Sequence, residues 1–392
     1  MPQMLDLPWH IPLETWRTAT PRFVEVQAGI SRHTVIFVSY DEAVFALKRL
    51  PLPAAEKEYR NLQWLESYKL PAVRPAGLAL PPGPAAAGEE AILISRYLDF
   101  SLPYLHLFRQ ADAVHSQDAL LDSLVSLLVQ LHLQKFYWGD CSLSNVLFRR
   151  DAGRLQSHLV DAETAEAHDS LSDAMRSHDL EIASENLAGE LLDLQAQGAV
   201  DAGIRPELFV GDLLGRYERL WSELNEAVYI QPGGVFRIES RIRRLNDMGF
   251  SIGEIFLNPT EQGDRLQFKV AVTDRQYHRN QLYSLVGLTA GEEQARTLLN
   301  DLAQYKAVLV SRFNRSIPQS VAAFHWLEEC FLPVQKILGD NRLAGTDAIE
   351  GYCDVLVHKW FLSEKAGQDV GLIAAATSYA KTVARGPKAP PG

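Results

Sequence analysis

The stretch "FYWGDCSLSNVLF", Phe136 to Phe148, sets polar groups where an apolar strand or helix has no use for them. Asp140 follows Trp138-Gly139, and Asn145 stands five residues later. In phosphoryl transfer, one carboxylate orients the acceptor hydroxyl and takes its proton. An amide oxygen a few residues on holds a magnesium ion. A spacing of five lets one irregular turn aim both groups at a single point. The same residues also fit an Asx turn followed by a helix cap, and the stretch alone leaves both readings open.

Two other stretches carry compatible chemistry. In "HLVDAETAE", Asp161 ends an apolar strand and precedes a polar turn, a place from which a carboxylate ligates a hard cation. Glu163 beside it reads as a solvated neighbour rather than a second ligand. In "AVFALKRL", Lys48 lies inside an apolar strand, where it must either snorkel or meet an anion. The helix that follows offers Glu56 and Glu58, and Glu58 is followed by Leu62 and Leu65 at +4 and +7, the stripe of a helix packed on a sheet. A strand lysine paired with a helix glutamate holds the α- and β-phosphates of a nucleotide.

The elements that must position these groups are legible from periodicity and breakers. Phe23 to Ala28, Thr34 to Val38 and Ala43 to Leu50 alternate as strands, and Pro51 and Pro53 end that segment. Ala54 to Tyr68 predicts a helix, Pro71 to Pro84 a Pro/Gly-rich connection, and Ala91 to Tyr97 a short strand. Gln117 to Phe136 is a long amphipathic helix that delivers the chain into the opening stretch. Val146 to Phe148 and His158 to Val160 predict a hairpin around Arg150-Asp-Ala-Gly153. Helices follow over Ala174 to Gln197 and Pro206 to Val228. Gln231-Pro-Gly-Gly234 is the best domain boundary. Beyond it come a helix at Phe236 to Met248, strands at Ile252 to Leu257 and Leu266 to Val272, and a helix near Thr289, where Thr289 and Glu292 have capping-box spacing.

The chain has 392 residues, enough for two or three domains. Its 47% hydrophobic and 22% charged content is that of an ordinary globular protein. A net charge of -11 argues against nucleic acid as the partner of the chain as a whole. Cys141, Cys330 and Cys353 are odd in number and lack metal-type spacing. Met1 to Trp16 lacks the basic start and apolar core of a signal peptide, and the longest apolar run, Leu120 to Leu133, is too short to span a bilayer. A cytoplasmic location is expected.

The order of these parts is the decisive feature. A sheet with a lysine, a helix with a glutamate, an edge strand, a long helix, an Asp-x4-Asn loop, a hairpin and an Asp follow one another. This resembles the protein-kinase-like superfamily, in its lipopolysaccharide-kinase and aminoglycoside-phosphotransferase branches, where the catalytic loop also opens with Gly-Asp. The resemblance covers Phe23 to Val228 and implies an α+β, bilobal kinase-like fold with a small β-rich first lobe and a helical second lobe. It implies ATP and Mg2+ as cofactors. Lys48 would contact the nucleotide phosphates with Glu58 as its ion-pair partner, and Asp140 would be the catalytic base. Asn145 and Asp161 would hold magnesium, and Gly29 and Ser31 would cover the phosphates. Arg96-Tyr97-Leu98 would be the hinge beside the adenine, read through its backbone.

The chain also departs from the pattern. Gly29 is the lone glycine between the first two strands, Trp138-Gly139 replaces His-Arg, and Ser142 stands where a lysine is usual. Asp161-Ala162-Glu163 takes the place of Asp-Phe-Gly, with no obvious activation loop after it. The whole chain is similar to a bacterial family that joins a lipopolysaccharide-kinase-like half to a C-terminal domain of unknown function, on the stretches "FRIESRIRRLNDMGF" and "DVLVHKWFLSEKAGQDVG". The expected organisation is therefore an arm (1–20), a first lobe (21–100), a second lobe (101–232), a small α+β domain (233–310), C-terminal helices (311–385) and a disordered tail (386–392).

Two functions stand against each other. One is an ATP-dependent phosphotransferase acting on a hydroxyl of a small-molecule or glycan-like acceptor. The other is a nucleotide-binding pseudokinase that regulates or scaffolds through its C-terminal domain. Intact Lys48, Asp140, Asn145 and Asp161 favour the first; the sparse glycine loop and Ser142 favour the second. In the second module, Arg237, Arg241, Arg243 and Arg244, with Arg275, His278 and Arg279, read either as a cationic face for a phosphorylated partner or as solvated arginines paired with nearby acids. "LVGLTAGEEQARTLL" resembles a DNA-backbone-binding helical hairpin without its second glycine.

Overall fold

A computed structural model of the chain describes residues 4–26, 33–40, 43–80, 90–102, 104–108, 113–201, 203–225, 228–230, 251–259, 266–274, 276–314, 316–340 and 347–384. The chain forms two compact units, Met1–Arg149 with Leu155–Trp221, and Arg150–Arg154 with Ser222–Gly392. Among the described residues, no helix is long and apolar enough to cross a membrane.

The first unit opens with a short helix, α1 (Trp16–Ala19), followed by β1 (Phe23–Val24), β2 (Val35–Tyr40) and β3 (Ala43–Pro51). Helix α2 (Leu52–Ser67) leads to β4 (Arg74–Ala79) and β5 (Glu90–Arg96). The five strands make an antiparallel sheet in the order β1-β2-β3-β5-β4. Alternation along β3 splits its side chains between two faces. Phe45 and Leu47 join Ile36, Val38, Ile92 and Ile94 in a core that also takes Met4, Leu7, Leu13 and Trp16 from the first residues of the chain. Lys48, on the opposite face to Leu47, meets α2, whose Ala55, Glu58, Leu62 and Leu65 are all buried.

The Pro/Gly-rich connection expected over Pro71 to Pro84 contains a strand instead. β4 pairs with β5 at the sheet edge, with a register shift between Pro75 and Gly77. Proline lacks an N–H for a second partner, so an edge position suits it.

The rest of this unit is mostly helical. β6 (Ser101–Leu102) and α3 (Tyr104–Phe108) precede α4 (Ala113–Leu133), whose Leu120, Leu124, Leu127, Leu128 and Leu131 are buried. After β7 (Phe136–Tyr137) comes the polar loop, then the hairpin β8 (Val146–Asp151) and β9 (Arg154–Leu159). Ala152 and Gly153 at its tip have φ of 52° and 77°, the left-handed pair of a tight hairpin turn. β10 (Glu166–Ala167) pairs with β7, and α5 (Asp173–Ala196) and α6 (Pro206–Asn225), as far as Trp221, complete the unit. This is the kinase-like fold: an antiparallel sheet with one helix across it, followed by a helical lobe that carries a loop and hairpin.

The second unit holds a three-stranded antiparallel sheet in the order β11-β13-β12, formed by β11 (Val228–Ile230), β12 (Ser251–Pro259) and β13 (Leu266–Asp274). The helix expected over Phe236 to Met248, and with it Arg237, Arg241, Arg243 and Arg244, lies outside the described residues, as do Arg275 and the tail from Gly386. Among the described residues six α-helices follow: α7 (Tyr277–Val286), α8 (Glu292–Phe313), α9 (Gln319–Trp326), α10 (Leu332–Asp340), α11 (Ala348–Ala366) and α12 (Leu372–Ala384), with a π-helical turn, Leu327–Phe331, between α9 and α10. Their core gathers Leu282, Leu298, Leu302, Trp326, Phe331 and Tyr352. Within it, Asp301 accepts from Trp326 Nε1 at 2.7 Å and from Tyr352 Oη at 2.8 Å.

The helix expected near Thr289 starts instead at Glu292, and Thr289 is not its cap. Gly291 precedes it and has no side chain to offer. Asp151, from the tip strip that belongs to this unit, accepts the backbone N–H of Glu293 at 3.1 Å and of Gln294 at 2.7 Å. An Asp from elsewhere thus does what an N-cap side chain does. In "LVGLTAGEEQARTLL" the two N–H groups that an anion would take at this helix start are held by Asp151. His278 does not belong to an open cationic face: it is buried, and its Nδ1 lies 2.7 Å from Glu292. Glu292 also accepts from the backbone N–H of His278 and of Arg279, capping α7.

Candidate active site

Lys48 is the centre of the first-lobe geometry. Its Nζ donates to Glu58 Oε2 at 3.0 Å and to Asp161 Oδ2 at 2.6 Å. Glu56, the other partner the sequence offered for Lys48, is exposed. Burial opposes the charge on Lys48, but the two carboxylates overcome it and hold the ammonium above its ordinary value. Glu58 is nearly inaccessible. Burial first, then the Asp161 charge, pushes it up to about 7 against the pull of Lys48.

Asp161 sits two residues past β9, where it closes an Asx turn by accepting the Glu163 N–H at 3.1 Å. Trp138 Nε1 donates to the Asp161 carbonyl at 2.9 Å, and Thr164 Oγ1 donates to the Trp138 carbonyl at 2.9 Å. The two site loops are therefore stitched together. Glu163 lies 3.4 Å from His33, as a neighbour of the site.

Asp140 lies in the loop between β7 and β8. Asn145 Nδ2 donates to its Oδ2 at 2.9 Å and to its carbonyl at 3.0 Å. The Asn145 carbonyl accepts the Val160 N–H at 3.0 Å, which sets Asn145 beside the residue that precedes Asp161. With its nitrogen committed to Asp140, the amide of Asn145 leaves Oδ1 as the oxygen it offers. A carboxylate and an amide oxygen are hard donors of the kind Mg2+ takes, so the residues present fit that ion. The Asx-turn reading is also partly realised, at Asp161 rather than at Asp140.

Sequence reasoning missed the groups that hold this loop. All three come from α5. Asp179, fully buried, accepts the backbone N–H of Trp138 at 2.8 Å and of Gly139 at 2.7 Å, and contacts His132 Nε2 at 3.0 Å. Asn186 Nδ2 donates to Asp140 Oδ1 at 2.9 Å. Glu190 accepts from the N–H of Leu143 at 2.5 Å, the N–H of Ser144 at 3.1 Å and Ser144 Oγ at 2.6 Å. Spacings of seven and four put 179, 186 and 190 on one helix face. A polar stripe beside the buried Leu180, Ala183, Leu187 and Leu191 was the signal available.

Gly139 has φ of 75°, and a Cβ there would press on the Tyr137 ring at 2.9 Å, so both backbone and space require glycine. Ser142 is a loop residue: it is buried, and its Oγ accepts the Asn145 N–H at 3.3 Å. Burial, with the charges of Asp179, Glu190 and Asp140, raises the Cys141 thiol well above its usual range, so it carries no reactive thiolate. At the expected hinge, the Tyr97 N–H bonds the Val44 carbonyl at 2.8 Å, Tyr97 packs edge-on against Phe37, and Arg96 turns to Asp99 at 3.2 Å. Leu98 follows β5, and its carbonyl accepts the Ser101 N–H at 3.3 Å. Gly29 and Ser31 lie outside the described residues.

Residues 42–190 match the model of the lipopolysaccharide kinase (Kdo/WaaP) family. Residues 219–384 match a domain of unknown function, DUF4032. The chain thus joins a kinase-like segment of the first kind to a domain of the second. No match was found among curated proteins. Among solved structures, the chain is similar to WaaP in complex with acyl carrier protein, at 14% identity and a TM-score of 0.35, over 58% of this chain and 88% of that one.

Proposed function

We propose that the first unit is an ATP-dependent phosphotransferase that uses Mg2+ and acts on a hydroxyl of a small-molecule or glycan-like acceptor. One observation carries this reading: Lys48 bridges Glu58 and Asp161, while Asp140 is held by two amides in a loop stitched to Asp161. Lys48 would bind the α- and β-phosphates, with Glu58 fixing its direction. Asp161 and Asn145 would hold the ion, which would supply positive charge to offset that of the phosphates. Asp140 would orient the acceptor hydroxyl and take its proton as the oxygen attacks phosphorus. The family match supports a sugar-like acceptor. The three free thiols suit a reducing cytoplasm.

The test separates binding from chemistry. Asp140→Ala should leave magnesium-ATP affinity nearly intact and cut turnover, read as slow ATP hydrolysis, by about a hundredfold or more. Asp161→Asn should weaken the magnesium-dependent thermal stabilisation by ATP. Binding without any wild-type turnover, with magnesium or manganese and with extract fractions as acceptor, would instead favour a nucleotide-binding pseudokinase. Ser142 in place of a lysine is the observation on that side.

A further inference from the structure

Helix α2 does more than supply Glu58. One turn further on, Asn61 Nδ2 donates to two backbone carbonyls of the loop after Asp161, those of Ala162 at 2.8 Å and Ala165 at 2.7 Å. Both alanines are fully buried. Lys57 Nζ donates to one of the two carbonyls between them, that of Thr164, at 3.2 Å. With Trp138 on the Asp161 carbonyl, four of the five carbonyls from Asp161 to Ala165 accept from side chains of α2 or of the loop that bears Asp140. Only Ala162–Ala165 separate Asp161 from β10 (Glu166–Ala167), so there is no length here for a segment that swings away. Loops that gate such sites are ordered by a separate event such as phosphorylation. This turn is already tied at nearly every carbonyl.

We infer that Asn61 is a positioning residue: its amide fork locks the turn 162–165 onto α2, so that Lys48, Glu58 and Asp161 stand in nucleotide-ready geometry without an ordering step. An amide fits the task because each of its two hydrogens meets one carbonyl. An isosteric carboxylate would set oxygen against oxygen at both. What Asp161 does once positioned rests on the proposed phosphotransferase reading; the latch itself does not.

The experiment uses the full chain and three forms: wild type, Asn61→Ala and Asn61→Asp. Hydrogen exchange is followed in the segment 161–167 and in α4. Thermal stabilisation by ATP is titrated with Mn2+. Loss of the fork should speed exchange in 161–167 by about tenfold or more, the worth of one to two hydrogen bonds, and more in Asn61→Asp than in Asn61→Ala. Exchange in α4 should stay within about twofold. The Mn2+ midpoint should rise by about fivefold or more, a change a purely structural loss elsewhere would not single out. Unchanged exchange in 161–167, or an equal rise in α4, would overturn the inference. Should both variants fail to fold, Lys57→Ala removes one tie only, and faster exchange confined to 161–167 is required of it. A wild type that Mn2+ and ATP do not stabilise would defeat the phosphotransferase reading, while the exchange comparison would still decide the latch.

Discussion

Glu58 is the residue on which charge and burial disagree most openly. It needs a negative charge to hold Lys48, yet burial and Asp161 push it up to about 7, from an ordinary 4.5. A carboxylate with a raised folded value binds its proton more readily in the native than in the unfolded chain. Its contribution to stability is therefore fully present below about 4.5 and is lost as pH rises through about 7. Stability of the first unit without nucleotide should decline across that window. Glu58→Gln cannot titrate, so the stability of that variant relative to wild type should improve from pH 5 to pH 8, measured by urea unfolding. A difference that stays flat or runs the other way would sink the assignment. Lys48, Glu58, Asp140, Asn145 and Asp161 stood out as candidates because their short patterns follow one another in a telling order. Asn61 was not, because its partners lie 101 and 104 residues away and an exposed-looking Asn on a helix signals nothing.

At the scale of elements, α5 is the post to which the polar loop is tied. Asp179 and Glu190 replace water for five backbone or side-chain donors besides His132, and Asn186 donates to Asp140, so a loop that would otherwise wander has one shape. The major helices and strands were legible from periodicity. β4 was not, because Pro75 and Gly77 at a register shift destroy the alternation that marks a strand. The start of α8 was misplaced by three residues for a related reason: its cap comes from Asp151, 142 residues from Glu293, and capping patterns are read locally. That cap makes a sharp demand on Gly291. A Cβ there would overlap the Asp151 carboxylate. Gly291→Ala should drive Asp151 off the helix start, losing two hydrogen bonds to a charged acceptor and a favourable helix-end charge, about 2–4 kcal/mol together. In an Asp151→Ala background the same change should cost well under half of that, because the clash and the cap are already gone. Equal costs in the two backgrounds, from denaturant unfolding, would rule the substitute cap out.

At the scale of the molecule, the second unit is not a continuous piece of sequence. It takes Arg150–Arg154 together with Ser222–Gly392. The DUF4032 match spans 219–384 and so leaves that strip out. The strip matters because of Glu350, which is 5% exposed and accepts from three donors: the N–H of Ala152 and of Gly153, each at 2.8 Å, and Gln294 Nε2 at 2.8 Å. A fragment beginning at Ser222 keeps Glu350 and loses two of its three donors, and loses the Asp151 cap of α8 as well. A buried carboxylate with too few donors is strongly destabilising. The fragment should therefore be less stable than the same unit in the full chain by several kcal/mol, seen by hydrogen exchange in α8 and α11 as urea is raised. Glu350→Gln gives the sharper sign test. In the full chain it removes the charge that two backbone N–H groups point at, and should destabilise. In the fragment it removes a charge that has lost those partners, and should stabilise. A fragment as stable as the intact unit, or a Glu350→Gln effect of the same sign in both, would show that the strip is dispensable. The opposite signs would establish that the hairpin tip is a structural part of the domain that follows it.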